Sequence, residues 1–198
     1  MKYLHIRKIT VVALLSGIGF LLMMLEISVP LIPSFIKLDI SDFPALVAAF
    51  IFGPVEGIVV CLIKNCLHIA ATYSGGIGEL ANFMLGATFV LTAGFIYKRF
   101  NSFKGSVIAC FAGSIAMAAI SFPVNLFITY PFYSKFMPID TIIKAYQDIL
   151  PSVGSLESAL LIFNVPFTLI KGLIVSVLCL VSYKRLSYLY IPQKGQNC

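Results

Sequence analysis

The sequence has little charge. Only 11% of its 198 residues are charged, whereas 60% are hydrophobic and the mean hydropathy is +1.00. A soluble domain carries about 25% charged residues, so this composition excludes a soluble domain of any size. We predict an all-α, multi-pass integral protein of the cell membrane, and the length leaves room for five or six spans joined by short loops.

The sequence also lacks the motifs of several kinds of site. Its five cysteines stand singly, without the tight spacing of zinc or redox motifs, and its two histidines cannot form a metal cluster by themselves. It has no Gly-x-x-x-x-Gly-Lys-Ser/Thr loop for ATP and no inverted repeat of the kind found in secondary transporters. We therefore predict no metal and no cofactor, and the energy for any transport must come from a partner.

Apolar runs between helix breakers predict six transmembrane helices in one domain that covers residues 1–198. Their approximate bounds are 8–27, 43–53, 55–73, 79–98, 105–130 and 157–183. The second is too short to cross a hydrocarbon core, which needs about 20 residues. It is predicted to begin after Ser41 and Asp42, with a capping side chain, and to end at the Gly53-Pro54 turn. The apolar start resembles a signal peptide but lacks a small-x-small cleavage site at its end, so we interpret it as a retained first span.

The basic residues predict the orientation. In a six-span arrangement, one side of the membrane holds Lys2, Arg7, Lys8, Lys98, Arg99, Lys104, Lys184, Arg185 and Lys194. Because basic residues concentrate in cytoplasmic loops, both termini are predicted to be cytoplasmic. This asymmetry accounts for most of the net charge of +6, so no nucleic-acid partner is needed to explain it.

Lys171 is the only acidic or basic residue between Glu157 and Lys184. At about 1.5 Å of rise per residue, it lies roughly 20 Å from either flanking charge, close to the bilayer midplane. A lysine at that depth costs about 2.5–3.5 kcal/mol on insertion scales, so such residues usually face a bundle interior or a polar cavity. We predict that Lys171 binds a polar solute.

Further polar side chains recur toward the outer ends of four predicted helices. On the last helix Asn164, Thr168 and Lys171 are spaced i, i+4 and i+7 and share one face. The polar side chains on the other three helices are Lys64, Asn65 and His68 on the third, Glu79 and Asn82 on the fourth, and Ser121, Asn125 and Thr129 on the fifth. The inner half of the bundle has no such group, which predicts a polar cavity that opens outward.

Other interpretations of these residues stay open. Membrane Asn, Ser and Thr often serve only to join helices, at about 0.6 kcal/mol each. Glu79 is also suited to the start of a helix, and Lys64 is suited to an ion pair with Glu79. His68 is a candidate for an interfacial histidine rather than a ligand. An intramembrane enzyme that uses Lys64, His68 and Glu79 as acid–base groups is an alternative, although no catalytic pair or metal set supports it.

Two outer loops and one helix face carry further predictions. The outer loop from Ser28 to Asp42, with two prolines and the apolar residues Leu31, Ile32, Phe35 and Ile36, is interpreted as a lid or as an interfacial loop. The long outer loop 131–155 is interpreted as partly an interfacial helix, with Tyr130, Phe132, Tyr133, Phe136 and Tyr146 as aromatic anchors. Ala13 and Gly17 form a small-xxx-small pair, which packs internally or docks a helix of another subunit.

Several motifs together resemble a known family, the riboflavin-specific substrate-binding (S) components of energy-coupling factor (ECF) transporters. They are LDISDFPAL at 38–46, FGP at 52–54, KN at 64–65, GELANF at 78–83 and PFTLIKG at 166–172. They occur in the family's order and spacing over nearly the whole chain. The closing Pro-Phe-x-x-x-Lys-Gly is more discriminating than the first motif, which other vitamin S components share.

The resemblance implies a six-helix subunit, not an enzyme, that binds riboflavin with high affinity from outside, beneath the first outer loop. Transport would require a transmembrane ECF coupling subunit, docked at Ala13 and Gly17, and two ATP-binding subunits. The implied ligand-binding residues are Lys171, Asn125, Thr168, Asn164, Glu79, Asn82, Leu38, Asp39 and Lys64. Thr168 departs from the Asn of the family, so an S component for a close flavin analogue or another vitamin remains the alternative, and Asn164 is a candidate to compensate from the next turn.

The chemistry of the vitamin fits these residues. Its isoalloxazine ring is a flat apolar body with a uracil-like edge, which Lys171, Thr168 and Asn125 can satisfy. Glu79 and Asn82 are suited to the hydroxyls of the ribityl chain. Phe83, Phe127 and Phe163 are candidate ring contacts.

Overall fold

A computed structural model describes the backbone of residues 2–30, 32–33, 36–72, 75–135 and 138–190. Within these ranges it describes the side chains from Ile6 to Tyr183. The predicted lid residues Leu31 and Phe35, the predicted anchor Phe136, and the basic side chains before Ile6 and beyond Tyr183 lie outside the described residues.

The described chain is mostly helical. Its helices are α1 (Lys2–Met24), α2 (Asp42–Ile51), α3 (Pro54–Ile69), α4 (Ile77–Arg99), α5 (Phe103–Val124), α6 (Tyr130–Tyr133), α7 (Ile139–Gln147), α8 (Leu156–Ala159) and α9 (Val165–Tyr190). Two π-helical turns, Asn125–Thr129 and Leu160–Asn164, connect α5 to α6 and α8 to α9. Between α1 and α2, strands β1 (Ile27–Ser28) and β2 (Lys37–Leu38) pair antiparallel, with Ile27 opposite Leu38.

Four helical segments of the described chain are long and apolar enough to cross a membrane. They are Ile6–Met24, Ile77–Arg99, Phe103–Tyr133 and Leu156–Tyr183. The chain is thus a membrane protein, as predicted. Helices α2, with 10 residues, and α3, with 16, are shorter than the roughly 20 residues that a hydrocarbon core requires, so the predicted number of six spans stays a prediction.

Helix α2 lies in the middle of the bundle, where it packs against α1, α3, α4 and α9. The run Pro44–Phe50 is buried throughout, because an apolar helix too short to cross the membrane is covered by its longer neighbours. Ser41 lies at its start, but no side-chain cap bond forms, so the predicted capping role is wrong. At its other end Gly53 adopts φ 126°, a conformation that favours glycine, and Pro54 begins α3 at once.

A second, smaller apolar cluster lies at the end of the bundle that carries the β1–β2 hairpin. It consists of Tyr130, Ile142, Tyr146, Val153, Ala159 and Leu160. Tyr130 is 2% exposed and Tyr146 is fully buried, so the expectation that they anchor the loop at the lipid interface is wrong for these two. Their hydroxyl groups have hydrogen-bond partners inside the protein, which makes burial tolerable.

Each π-helical turn is followed two residues later by a proline. Pro131 comes after the turn that ends at Thr129, and Pro166 after the turn that ends at Asn164. Proline cannot donate to the carbonyl four residues earlier and its ring crowds that carbonyl. A wider turn relieves this crowding, and such π bulges are frequent at functional sites.

Candidate ligand-binding site

A cavity of about 790 Å³ opens between the β1–β2 loop and helices α4, α5, α7 and α9. All predicted ligand-binding residues except Leu38 and Lys64 line it, namely Asp39, Glu79, Asn82, Asn125, Asn164, Thr168 and Lys171. Its volume falls in the range of about 300–1,000 Å³ that is usual for small-molecule sites. The structure thus brings residues from four distant parts of the chain to one wall.

Lys171 is buried at the bottom of this cavity and is not a lone charge. Its Nζ donates to Asp39 Oδ2 at 2.7 Å and to Asn82 Oδ1 at 3.3 Å, and Asp42 Oδ2 lies 3.6 Å away. Asp39 comes from the loop that follows β2, 132 residues earlier in the chain. The ammonium therefore meets the cavity already oriented by a carboxylate, which explains how the chain tolerates a lysine at this depth.

Lys64 does not line the cavity, so its predicted role in ligand binding finds no support in its position. It is fully buried beneath α2, where Nζ donates to Asp42 Oδ1 at 2.6 Å and to the Ser41 hydroxyl. The suggested ion pair with Glu79 is also wrong. The partner is Asp42 instead, which sequence patterns do not indicate because the two residues are 22 positions apart on different helices.

Two acidic and two basic side chains, Asp39, Asp42, Lys64 and Lys171, form one buried cluster, hereafter the charge cluster. Ser41 joins it by donating its hydroxyl and its backbone N–H to Asp39 Oδ1. Burial by itself would raise the pKa of Asp39, but the two ammonium groups outweigh burial and hold the pKa well below its usual range. The cluster is neutral as a whole, with two positive and two negative charges, so it avoids the cost of an uncompensated buried charge.

Glu79 and His68 form a second polar pair in the cavity lining. His68 Nδ1 lies 2.8 Å from Glu79 Oε1, and both side chains are buried and line the cavity. His68 thus has a specific partner within the cavity, and its interfacial position stays a prediction. A carboxylate that lines the cavity suits a hydroxyl-rich ligand, because carboxylates accept several hydrogen bonds.

The two π-helical turns supply two amides of the cavity lining. Asn125 begins the first turn and Asn164 ends the second, and Thr129 also lines the cavity. A π turn changes the direction of side chains relative to a continuous α-helix, so simple i, i+4 spacing does not predict which way they face. The prolines two residues later, Pro131 and Pro166, are the sequence signal for these turns.

The apolar part of the wall differs from the prediction. Phe127 is 72% exposed, Phe83 packs into the main core, and Phe163 packs beside Tyr146, so none of the three predicted ring contacts lines the cavity. The apolar lining comes instead from Met23, Leu85, Met117, Ile142 and Phe167. Phe167 immediately precedes Thr168 within the PFTLIKG motif, and this adjacency was the available signal.

Leu38, the other predicted ligand residue outside the lining, is half-buried in β2. Its neighbour Asp39 takes the position facing the cavity, since successive residues of an extended segment point to opposite sides. Among the described residues no group of three His, Cys, Asp or Glu side chains is placed to hold a metal ion.

One face of α1 has no packing partner within the described chain. Ala13 is exposed, and a Cβ built on Gly17 would have no atom within 4 Å. By contrast, Ser16 and Gly19 on the other side of the helix are buried, and a Cβ on Gly19 would lie 3.4 Å from Lys64 Cδ. The small-residue pair therefore faces outward rather than into the bundle.

Comparison with known proteins gives consistent results. Residues 7–183 match the model of the family described as ECF transporter, substrate-specific component. The chain is 32% identical to the riboflavin transporter RibU of Staphylococcus aureus (strain TCH60) over 181 residues, 91% of this chain and 90% of that protein. It is 34% identical to the riboflavin transporter FmnP of Bacillus subtilis (strain 168) over 177 residues, 88% of each.

A solved structure is also similar over almost the full length. It is described as the S component of a bacterial ECF transporter, and it has a TM-score of 0.75 and 31% sequence identity. The match covers 95% of this chain and 99% of that one.

Proposed function

The chain belongs to the substrate-specific components of ECF transporters, and from this premise we propose that it captures riboflavin and delivers it for uptake together with the ECF module. Family membership was predicted from the motifs at 38–46, 78–83 and 166–172, and it is confirmed. The relatives are named as transporters, so the chain is a transport subunit rather than an enzyme. Riboflavin is the transported ligand, not a cofactor.

The observation that carries the proposal is the polar floor of the cavity, where Lys171 is held between Asp39 and Asn82. An isoalloxazine ring offers carbonyl acceptors along its uracil-like edge, and a charged donor satisfies such an acceptor with about 1.5–3 kcal/mol. Because Asp39 already orients the ammonium, little side-chain entropy is lost when the ring binds. Met117 and Phe167 supply an apolar surface for the flat body of the ring.

The ribityl chain would extend toward Glu79 and His68. Its hydroxyls can donate to the Glu79 carboxylate and accept from amides such as Asn82, and both side chains line the same cavity. This arrangement places the apolar ring beside the apolar lining and the hydroxyls beside Glu79 and His68. Each half of the ligand thereby meets groups of its own polarity.

We further propose that the β1–β2 loop covers the bound ligand. Asp39 follows β2 directly and pairs with Lys171 on α9, so the ion pair ties the end of the loop to the floor of the site. The loop would then cover the ligand while the Asp39–Lys171 ion pair keeps its C-terminal end in place.

The orientation and the partners follow from the same proposal. The cavity would open to the exterior, and six helices would place both termini in the cytoplasm. The transmembrane coupling subunit would dock on the open α1 face at Ala13 and Gly17, where small residues allow close helix approach. Two ATP-binding subunits would supply the energy.

Titration of the detergent-purified protein with riboflavin tests the proposal. We expect flavin absorption bands in the protein as purified, and quenching of riboflavin fluorescence on binding. Lys171→Gln should raise the Kd roughly 10- to 150-fold, the equivalent of about 1.5–3 kcal/mol. Lys104→Gln is the matched control, because Lys104 is exposed near the start of α5, about 30 Å along the helix from Asn125.

A colourless protein that also fails to bind added riboflavin would overturn the proposal. Equal Kd values for the Lys171 and Lys104 variants would show that the cavity floor does not hold the ligand.

A further inference from the structure

Three buried side chains at the edge of the cavity form a closed ring of hydrogen bonds, hereafter the tyrosine–amide ring. Tyr146 on α7 donates its hydroxyl to Asn164 Oδ1 at 2.7 Å. Asn164 Nδ2 donates to the Tyr130 hydroxyl at 3.2 Å. The two tyrosine hydroxyls are also hydrogen-bonded to each other. Tyr130 and Asn164 line the cavity, whereas Tyr146 lies behind them.

The directions of the three bonds follow from counting hydrogens. A phenol has one O–H, and that of Tyr146 is donated to Asn164. The bond between the tyrosines must therefore be donated by Tyr130. Each of the three groups then donates once and accepts once, so all three are satisfied without water or ligand.

This count also shows what Asn164 still offers. A carboxamide has two N–H donors and two oxygen lone pairs, and the ring uses one of each. One N–H and one lone pair remain. The opposite direction of the ring requires a flipped Asn164 amide, with Nδ2 donating to Tyr146 and Oδ1 accepting from Tyr130. That arrangement also uses one N–H and one lone pair, so what remains on the amide does not depend on the direction of the ring.

Thr168, one turn further along α9, cannot offer the same pair. Its hydroxyl donates to the backbone carbonyl of Asn164 at 2.8 Å, so its single hydrogen is already used and only acceptor capacity is left. On the stripe formed by Asn164, Thr168 and Lys171, Asn164 is therefore the side chain with both a donor and an acceptor for a ligand.

We propose that the Asn164 carboxamide forms hydrogen bonds with the imide edge of the flavin ring. Tyr146 and Tyr130 fix the orientation of this carboxamide. The inference rests on the proposed riboflavin-binding function. An imide presents carbonyl acceptors beside an N–H donor, which matches one N–H and one lone pair on a carboxamide. The terminal torsion of a free asparagine is broad, and the ring restricts it before the ligand arrives.

The position of Tyr146 makes it a positioning residue. It is fully buried, and the centroid of its ring lies 5.3 Å from that of Phe163. Its hydroxyl contacts two residues that line the cavity, Asn164 and Tyr130, and does not itself line it. Tyr146→Phe keeps the aromatic packing and removes only the hydroxyl. The Asn164 amide then loses the donor that holds its oxygen.

The experiment compares Kd values for riboflavin and for 3-methylriboflavin, in which a methyl group replaces the imide hydrogen. In the unaltered protein we expect 3-methylriboflavin to bind on the order of tenfold or more weakly, because a buried acceptor is left without its donor. Asn164→Ala should bring the ratio of the two Kd values close to one. Tyr146→Phe should lower the ratio at least about threefold while riboflavin still binds.

Tyr183→Phe is the matched control. Tyr183 also has a buried hydroxyl, hydrogen-bonded to Tyr97 at 3.0 Å, but neither residue lines the cavity. The ratio of the two Kd values in Tyr183→Phe should equal that in the unaltered protein. A merely structural role for Tyr146 would weaken both ligands equally and leave the ratio unchanged.

An unchanged ratio in Asn164→Ala would overturn the assignment of Asn164, and an unchanged ratio in Tyr146→Phe would overturn the positioning role. Equal binding of both ligands by the unaltered protein would also overturn the inference while leaving the proposed function in place. Failure of the unaltered protein to bind riboflavin at all would instead refute the proposed function on which the inference rests.

Discussion

Removing one charge from the Asp42–Lys64 pair should destabilise the protein strongly. Both side chains are 0% exposed, and Nζ lies 2.6 Å from Oδ1. Asp42→Asn removes the negative charge and leaves the Lys64 ammonium buried with neutral acceptors, the Ser41 hydroxyl and the oxygen of the introduced carboxamide. The cluster of four charges then carries a net charge of +1 instead of zero.

Breaking a buried ion pair from one side costs about 3–5 kcal/mol, because an uncompensated charge stays buried. For a protein of 150–250 residues, 1 kcal/mol corresponds to a change in Tm of about 2–4 °C. The expected drop in Tm for Asp42→Asn is therefore roughly 6–20 °C. The double variant Asp42→Asn/Lys64→Met removes both charges and leaves the neutral Asp39–Lys171 pair, so it should recover most of this loss.

Unfolding can be followed in detergent with a thiol-reactive fluorescent dye, because Cys61, Cys110 and Cys179 are buried free thiols. Glu26→Gln is the matched control, since the Glu26–Lys37 pair is largely solvent-accessible and exposed pairs contribute about 0–1 kcal/mol. Its Tm should change by less than about 4 °C.

Two results would refute this reasoning. One is a drop in Tm for Asp42→Asn no larger than that of Glu26→Gln. The other is a double variant whose loss of Tm equals the sum of the losses of Asp42→Asn and Lys64→Met measured singly, because additivity would show that the two charges do not interact.

Three further predictions concern pH, packing and assembly. Because the pKa of Asp39 is lowered, its contribution to stability is present above the ordinary pKa of 3.8 and is lost only as the pH falls below 3.8, so Tm should be flat from about pH 8 to pH 5. A decline in Tm between pH 8 and pH 5 that Asp39→Asn abolishes would contradict this prediction. A Cβ on Gly86 would lie 2.6 Å from Asp42 Oδ1, so Gly86→Ala should cost about 1–3 kcal/mol in the dye assay, whereas Gly154→Ala, with open space around its Cβ, should not. Gly17→Leu should leave riboflavin Kd and Tm unchanged and prevent co-purification with the coupling subunit; unimpaired co-purification would remove the α1 face from the proposed interface.

The helices were largely accessible from the sequence, because their apolar runs and breakers are local features. The Gly53-Pro54 turn separates α2 from α3 in the structure, at the point where the sequence pattern places it. The π-helical turns were not predicted, because periodicity analysis assumes a uniform helix. The hairpin of β1 and β2 was also not predicted, since each strand has only two residues and two residues carry no periodic signal.

Most residues of the candidate site were predicted from the sequence, but their hydrogen bonds and ion pairs were not. Lys171 and Asn82 were identified from depth and face, yet their bonds to Asp39 and to each other depend on segments far apart in the chain. The same reasoning from depth placed Lys64 in the site as well. In the structure Lys64 pairs with Asp42 at the start of α2 and does not line the cavity. Polarity at membrane depth predicts that a side chain has a partner, but it does not predict which one.

By itself the sequence determined that this is a membrane protein of the ECF substrate-specific family, and it determined which polar side chains must be shielded from lipid. These conclusions follow from composition, periodicity and motifs, which need no knowledge of distant neighbours. Only the tertiary structure decided that Asp39 neutralises Lys171, that Asp42 neutralises Lys64, and that two tyrosines hold Asn164. Hydrogen bonds and ion pairs act over about 3–4 Å, so they are set by how helices distant in sequence pack against one another.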